Sequence, residues 1–249
     1  MTITAPIPVE TRPATNPMRR TSLAAGVLYL ITFVSIPTLG LYNAVRDHTD
    51  FILGTGSDTG VLWGALSEVV VGIAGISTAV VLFPVLKRQS ETAALGLVAA
   101  RLLETTLIFV SVASMLTIIT LRNDVAGADR ASLTTTGHAL LAVYDRTFLL
   151  SQSLAPVFVD LLLGYLLFRS RLVPRVLPMI AFVGAPLLLA SDIAIFFGVI
   201  ERSALFAGLT VIPIAVFEFS LGVYLIVRGF RPAAVAALPP AAGSAPSVR

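Results

Sequence analysis

Residues 61–86 read VLWGALSEVVVGIAGISTAVVLFPVL, an apolar run interrupted by a single ionisable side chain, Glu68. A bilayer core about 30 Å thick takes roughly 20 apolar residues in a helix. This stretch is long enough to cross, and its one charge lies well inside it. The whole chain resembles it. Of 249 residues, 56% are hydrophobic and only 12% are charged, and the mean hydropathy is +0.92. A soluble domain carries about 25% charged residues because its surface must face water. The composition therefore points to an all-α, polytopic transmembrane helix bundle.

Six spans are expected, at about 21–42, 61–86, 93–121, 139–168, 176–200 and 204–227. They form one transmembrane domain over 19–230. Residues 1–18 and 231–249, rich in Pro, Ala, Thr and Ser, are expected to be disordered cytoplasmic tails. The first apolar run is longer than the core of a signal peptide and lacks an A-x-A site, so it is expected to stay as an anchor.

Orientation follows from the Lys and Arg residues. Arg12, Arg19, Arg20, Lys87, Arg88, Arg169, Arg171, Arg175, Arg228, Arg231 and Arg249 fall on one side. Only Arg46, Arg122, Arg130 and Arg202 fall on the other. The richer side is expected to face the cytoplasm, with both termini there. A pI near 9.7 raises the question of nucleic acid, but the basic residues flank apolar runs and form no stripe with aromatics. No nucleic-acid partner is expected.

Charges inside the spans are the candidate functional residues. Each costs on the order of 2.5–3.5 kcal/mol at a helix centre, so the side chains should face the bundle interior. At about 1.5 Å per residue, Arg101, Glu104, Asp160 and Glu218 fall at similar depths in the inner half and make a candidate polar hub. Glu68, Asp145, Arg146 and Asp192 fall nearer the outer side and make a candidate second layer. Acids outnumber bases in both, so some carboxyls should be protonated or hydrated. In AARLLETT (99–106) the i, i+3 spacing allows a local Arg101–Glu104 pair. The shared depth favours an interhelical one, from Arg101 to Asp160 or Glu218.

Three even-numbered spans repeat an acid and a glycine at i, i+4: Glu68/Gly72, Asp160/Gly164 and Glu218/Gly222. The glycine shares the acid's face and admits a neighbouring helix. The pattern suggests either a repeated hairpin or the general frequency of glycine in membrane helices.

The motifs exclude several chemistries. There is no cysteine, and the two histidines, His48 and His138, fall in outer loops or at their edges. Disulfides, thiolate sites, intramembrane haem ligation and a zinc-protease motif are therefore not expected, and neither is a cofactor or metal. GTGSDTG (54–60) lacks the strand and lysine of a phosphate loop and is expected to be an outer turn. Asp160 and Asp192 differ in depth, which argues against an aspartate protease pair. No catalytic constellation emerges, and an enzyme is not expected.

LFPVLKRQ (82–89), RLLE (101–104) and LLFRSRLVPRVLPMIAFVGA (166–185) together resemble the bacterial membrane-protein family known as domain of unknown function 4386. The resemblance implies a multi-span membrane protein and carries no catalytic residues. Within the third stretch, Arg169, Arg171 and Arg175 are expected to anchor a tight hairpin by the positive-inside rule, or to contact anionic lipid head groups. Two functions stay open. One is a structural, accessory or sensing protein built on the hub. The other is a small proton- or cation-coupled transporter or channel using Glu104, Asp160 and Glu218.

Overall fold

The structure is a computed structural model that describes residues 17–239 apart from 37, 49, 55, 125–128 and 203. Among these residues it is all-helical, without strands. Helix α1 (Pro17–Thr32) ends in a 3-10 turn, Phe33–Ser35. Two short helices follow, α2 (Thr38–Leu41) and α3 (Asn43–Asp47), and then a second 3-10 turn, Phe51–Leu53. Next come α4 (Thr59–Leu86), α5 (Glu91–Asn123) and α6 (Arg130–Phe148), which runs through a π-helical segment, Leu149–Leu154, into α7 (Ala155–Ser170). The chain closes with α8 (Val176–Phe196), α9 (Leu205–Val227) and α10 (Pro232–Ala237).

Five helices are long and apolar enough to cross a membrane: α4, α5, the continuous α6–α7 rod, α8 and α9. Local chemistry sets several of their ends. The Ser90 hydroxyl accepts from the Ala93 amide and starts α5, with Glu91 in the first turn at the positive end of the helix dipole. Asp129 accepts from the Ser132 amide at 2.9 Å and starts α6. Arg171, at φ 55, ends α7 in the left-handed conformation and folds the chain back into α8.

The stretch expected as the first span, 21–42, departs from one long helix. α1 has 16 residues and stops at Thr32. The run continues to Pro37, which has no amide hydrogen to donate to a carbonyl one turn back.

The helices are arranged in a closed ring in the order α1, α4, α5, α7, α8, α9, each packed on the next and α9 on α1. Glycines set the closest approaches. A Cβ on Gly26 would lie 2.6 Å from the Gly222 carbonyl oxygen, so α1 and α9 meet backbone to backbone. A Cβ on Gly184 would lie 2.8 Å from the Pro213 side chain and 3.2 Å from the Ile214 amide nitrogen, so α8 and α9 are also close there.

Two apolar cores fill the ends of the ring. At the basic end, where Lys87, Arg88, Arg169, Arg171 and Arg175 lie, Tyr29, Leu82, Leu86, Leu163, Leu166, Phe217 and Leu221 pack together. Leu172 and Val173 of the α7–α8 turn plug into this core, fully buried. At the opposite end Tyr42, Phe51, Ile52, Met115, Ile118 and Tyr144 form a second core.

The carboxyl-terminal segment expected to be disordered from 231 is ordered in its described part. The Arg231 amide donates to the Leu172 carbonyl at 2.9 Å. Arg88 donates to the carbonyls of Leu238 and Pro239 at 3.0 and 2.7 Å. Phe230 and Leu238 are buried against the basic-end core. Two apolar anchors and these backbone bonds outweigh the local Ala/Pro composition. The rest of the expected tails, 1–16 and 240–249, lies outside the described residues.

Candidate functional site

Between the two apolar cores lies a polar belt. Its centre is Arg101 on α5, 3% exposed. The guanidinium donates to both carboxylate oxygens of Glu104 at 3.1 and 2.9 Å, a bond pair within one helix. It also donates to Glu218 on α9 at 2.9 Å. α5 and α9 stand three places apart in the six-membered ring, so the Arg101–Glu218 pair bridges its centre. The Tyr29 ring from α1 lies 5.7 Å from the guanidinium carbon, within cation–π range.

Of the four residues expected in this hub, the structure joins Arg101, Glu104 and Glu218. The local pair and the interhelical pair coexist. Asp160 on α7 is fully buried and within electrostatic reach of the other three. Neither of its oxygens has a hydrogen-bond partner among the described residues. An ionised carboxylate at such a place is costly.

A cavity of about 180 Å³ opens onto the hub. Arg101, Glu104 and Glu218 line its charged side, and Thr105 and Gln152 add polar groups. Its walls are aliphatic, from Val71, Ile108, Leu188 and Ile214. Thr32, Phe33 and Ile36 rim it where α1 gives out. The space lies beside the end of α1.

A model of the family described as "Domain of unknown function (DUF4386)" matches residues 24–229. The chain belongs to the DUF4386 family. No curated protein and no solved structure matches it. Every hub residue of this DUF4386 chain falls inside the matched region.

The four residues expected in the outer layer separate into four places. Glu68 on α4 is fully buried in a cage of neutral donors. It accepts from the Tyr144 hydroxyl at 2.9 Å, the Gln152 amide at 3.0 Å and the Tyr42 hydroxyl at 3.2 Å. All three donors are uncharged, so Glu68 is held by hydrogen bonds and not by an ion pair. Asp145 lies further out, paired with Arg46 and, at 3.5 Å, with Arg202. Burial, and then the like charge of Arg46, lower the Arg202 pKa, and Asp145 opposes the shift. Asp192 on α8 accepts from Ser153 through one oxygen, and its other oxygen has no partner among the described residues. Arg146 is exposed and joins none of these groups. One helix turn cannot aim Tyr144, Asp145 and Arg146 at a common point, so equal depth did not mean contact.

The π-helical segment explains how Gln152 and Ser153 both reach carboxylates. Its wider turn rotates successive residues relative to an α-helix, and such turns are frequent at functional sites. Gln152 touches both the cavity and Glu68, and so links the two carboxylate groups. Nothing in the sequence marked Tyr29, Tyr42 or Tyr144 as partners.

Arg169, Arg171 and Arg175 are exposed at the basic end. Arg175 lies 4.7 Å over the Phe168 ring, which fixes its stem on the helix end and leaves the side chain at the surface. GTGSDTG (54–60) is held down rather than free. Arg122 pairs with Asp58 at 2.9 Å and donates to the carbonyls of Phe51, Gly54 and Gly56. Among the described residues, no group of three or more His, Cys, Asp and Glu side chains is placed to hold a metal ion.

Proposed function

We propose that this protein is a six-span integral protein of the bacterial cytoplasmic membrane, with both termini cytoplasmic. In this reading it binds a small solute in the central cavity and moves protons or a cation by way of Glu104, Asp160 and Glu218. α1 counts as the sixth span: its 16 residues rise about 24 Å, and the 3-10 turn and α2 carry the chain further. The chemistry is binding and transfer, not covalent catalysis.

The observation that carries the proposal is the cavity ending on the hub. A charge cluster that served only to hold helices together would need no open space beside it. Here the cluster is open to a space that holds several water molecules. Beyond it, Gln152 and Glu68 continue the polar groups toward the opposite end. The packed basic end, with Leu172 and Val173 inserted, closes the other side. Anionic lipid head groups at Arg169, Arg171 and Arg175 fit the positive-inside orientation.

The Arg101–Glu218 bridge favours a second reading, in which the hub is a structural clamp in an accessory or sensing protein. Glu104→Gln, Asp160→Asn and Glu218→Gln, measured for melting in detergent and for proton flux in proteoliposomes, separate the two. Transfer predicts a flux above that of empty liposomes, lost in at least one variant that melts like the parent. A flux untouched by all three changes, or none in the parent, leaves the clamp. Topology is tested apart from function. The chain has no cysteine, so Ser57→Cys should react with an impermeant maleimide in intact cells and Thr92→Cys only after lysis. The reverse pattern overturns the orientation.

A further inference from the structure

The cavity has two chemically distinct ends. At the inner end two carboxylates, Glu104 and Glu218, face one guanidinium, so negative charge is in excess. Arg101 uses its terminal nitrogens on those carboxylates, and its Nε has no partner among the described residues. At the mouth the exposed residues are aliphatic: Ile36 is 63% exposed and Val211 44%. Val211 lies sixteen residues from the basic end of α9, about 24 Å at helical rise. The mouth therefore sits level with the hydrocarbon rather than with the outer water, beside the point where α1 ends.

We infer that the cavity binds an amphiphilic cation, a protonated amine on a short apolar body, that enters sideways from the lipid between the Phe33–Ile36 turn and α9. The inference rests on the proposed binding role of the cavity and names its ligand class. An ammonium group offers three donors and no acceptor. It matches the lone pairs of Glu104 and Glu218 left over from Arg101, and it balances the excess negative charge. An anion would meet two carboxylates before it met Arg101. The apolar body lies along Ile36 and Val211, where a fully hydrated cation would find no partners. A side entrance also explains why the rim is aliphatic while the inner end is charged.

The test uses the full chain in nanodiscs, with binding read by thermal shift and ligand-observed NMR at pH 7. The probes are hexylamine, methylamine, hexanol and hexanoate. Hexylamine is expected to bind at least tenfold more tightly than each of the other three. Glu218→Gln should weaken hexylamine at least tenfold. Val211→Trp, which obstructs the mouth and leaves the charges in place, should do the same if Glu218→Gln does not fold. Methylamine binding as tightly as hexylamine overturns the amphiphile and leaves a cavity for small cations. Hexanol or hexanoate binding as tightly overturns the cation. No binding by any probe overturns the ligand class, while the flux measurements decide the transfer role separately. Hexylamine binding unaffected by Val211→Trp overturns the side entrance.

Discussion

Arg101→Met removes the guanidinium from the centre of the ring and leaves a side chain of similar length. Arg101 makes three bonds of 2.9–3.1 Å to two carboxylates, and its side chain is only 4% exposed. Removing one partner of a buried ion pair costs about 3–5 kcal/mol, mostly because the other charges are left uncompensated. Neutral interhelical bonds in membranes are worth only about 0.6 kcal/mol on average, so the charge dominates the outcome. At about 2–4 °C per kcal/mol for a domain of this size, the variant should melt roughly 6–20 °C below the parent. The assay is thermal unfolding in detergent, followed by intrinsic fluorescence. If uncompensated charge is the cause, adding Glu104→Gln and Glu218→Gln to Arg101→Met should restore at least half of the loss. A single variant melting within about 1 °C of the parent would refute the clamp energetics. A triple variant no more stable than the single would refute the charge argument specifically.

Gly26→Val should destabilise strongly, by about 3 kcal/mol or more, because its Cβ would lie 2.6 Å from the Gly222 carbonyl oxygen. Gly208→Ala, with open space around its Cβ, should be neutral or raise the melting point slightly; equal effects on melting would contradict the α1–α9 contact. Tyr144→Phe deletes the 2.9 Å bond to Glu68 and should cost about 1.5–3 kcal/mol, typical of a bond to a charged group, with no loss if Glu68 is held otherwise. Arg122→Ala frees the carbonyls of Phe51, Gly54 and Gly56 and should speed proteolysis within 51–58 while leaving helix content unchanged by circular dichroism.

The long apolar helices were legible in the sequence because each has a length and hydropathy that water does not tolerate. The break in the first apolar run was harder to see. Composition there stays apolar from α1 through the turn, and hydropathy does not distinguish a span from a helix that stops at Thr32. Depth along a helix singled out Arg101, Glu104 and Glu218, which hydrogen bonds join in the structure. It could not separate Glu68 from Asp145, because contact depends on angle around the helix as well as height. The π-helical segment shifts that angle for Gln152 and Ser153, and no periodicity of 3.6 residues contains it. Tyr29, Tyr42 and Tyr144 look like ordinary apolar residues in a membrane sequence until their hydroxyls or rings are seen against charges.

The acid–glycine pattern gains a geometric meaning from the ring. Gly72 on α4 lies against Thr105 and Phe109 of α5, Gly164 on α7 against Pro178, Ala181 and Phe182 of α8, and Gly222 on α9 against Gly26, Tyr29 and Leu30 of α1. Each glycine thus joins the second helix of one hairpin to the first helix of the next around the closed ring. The acids Glu68, Asp160 and Glu218, four residues earlier on the same helices, are drawn toward the interior by the same contact. Three equivalent hairpins would give a ring with three equivalent walls. The first helices differ, however: α5 has 33 residues and α8 has 21, while α1 has 16. The cavity opens beside the shortest of them, and Arg101 reaches Glu218 from the longest. α1 ends beside the cavity, and the base on α5 supplies a positive charge that neither α1 nor α8 carries within its apolar run. The site therefore lies where the repeat is broken, and the close-packed glycine contacts keep the rest of the ring in place around it.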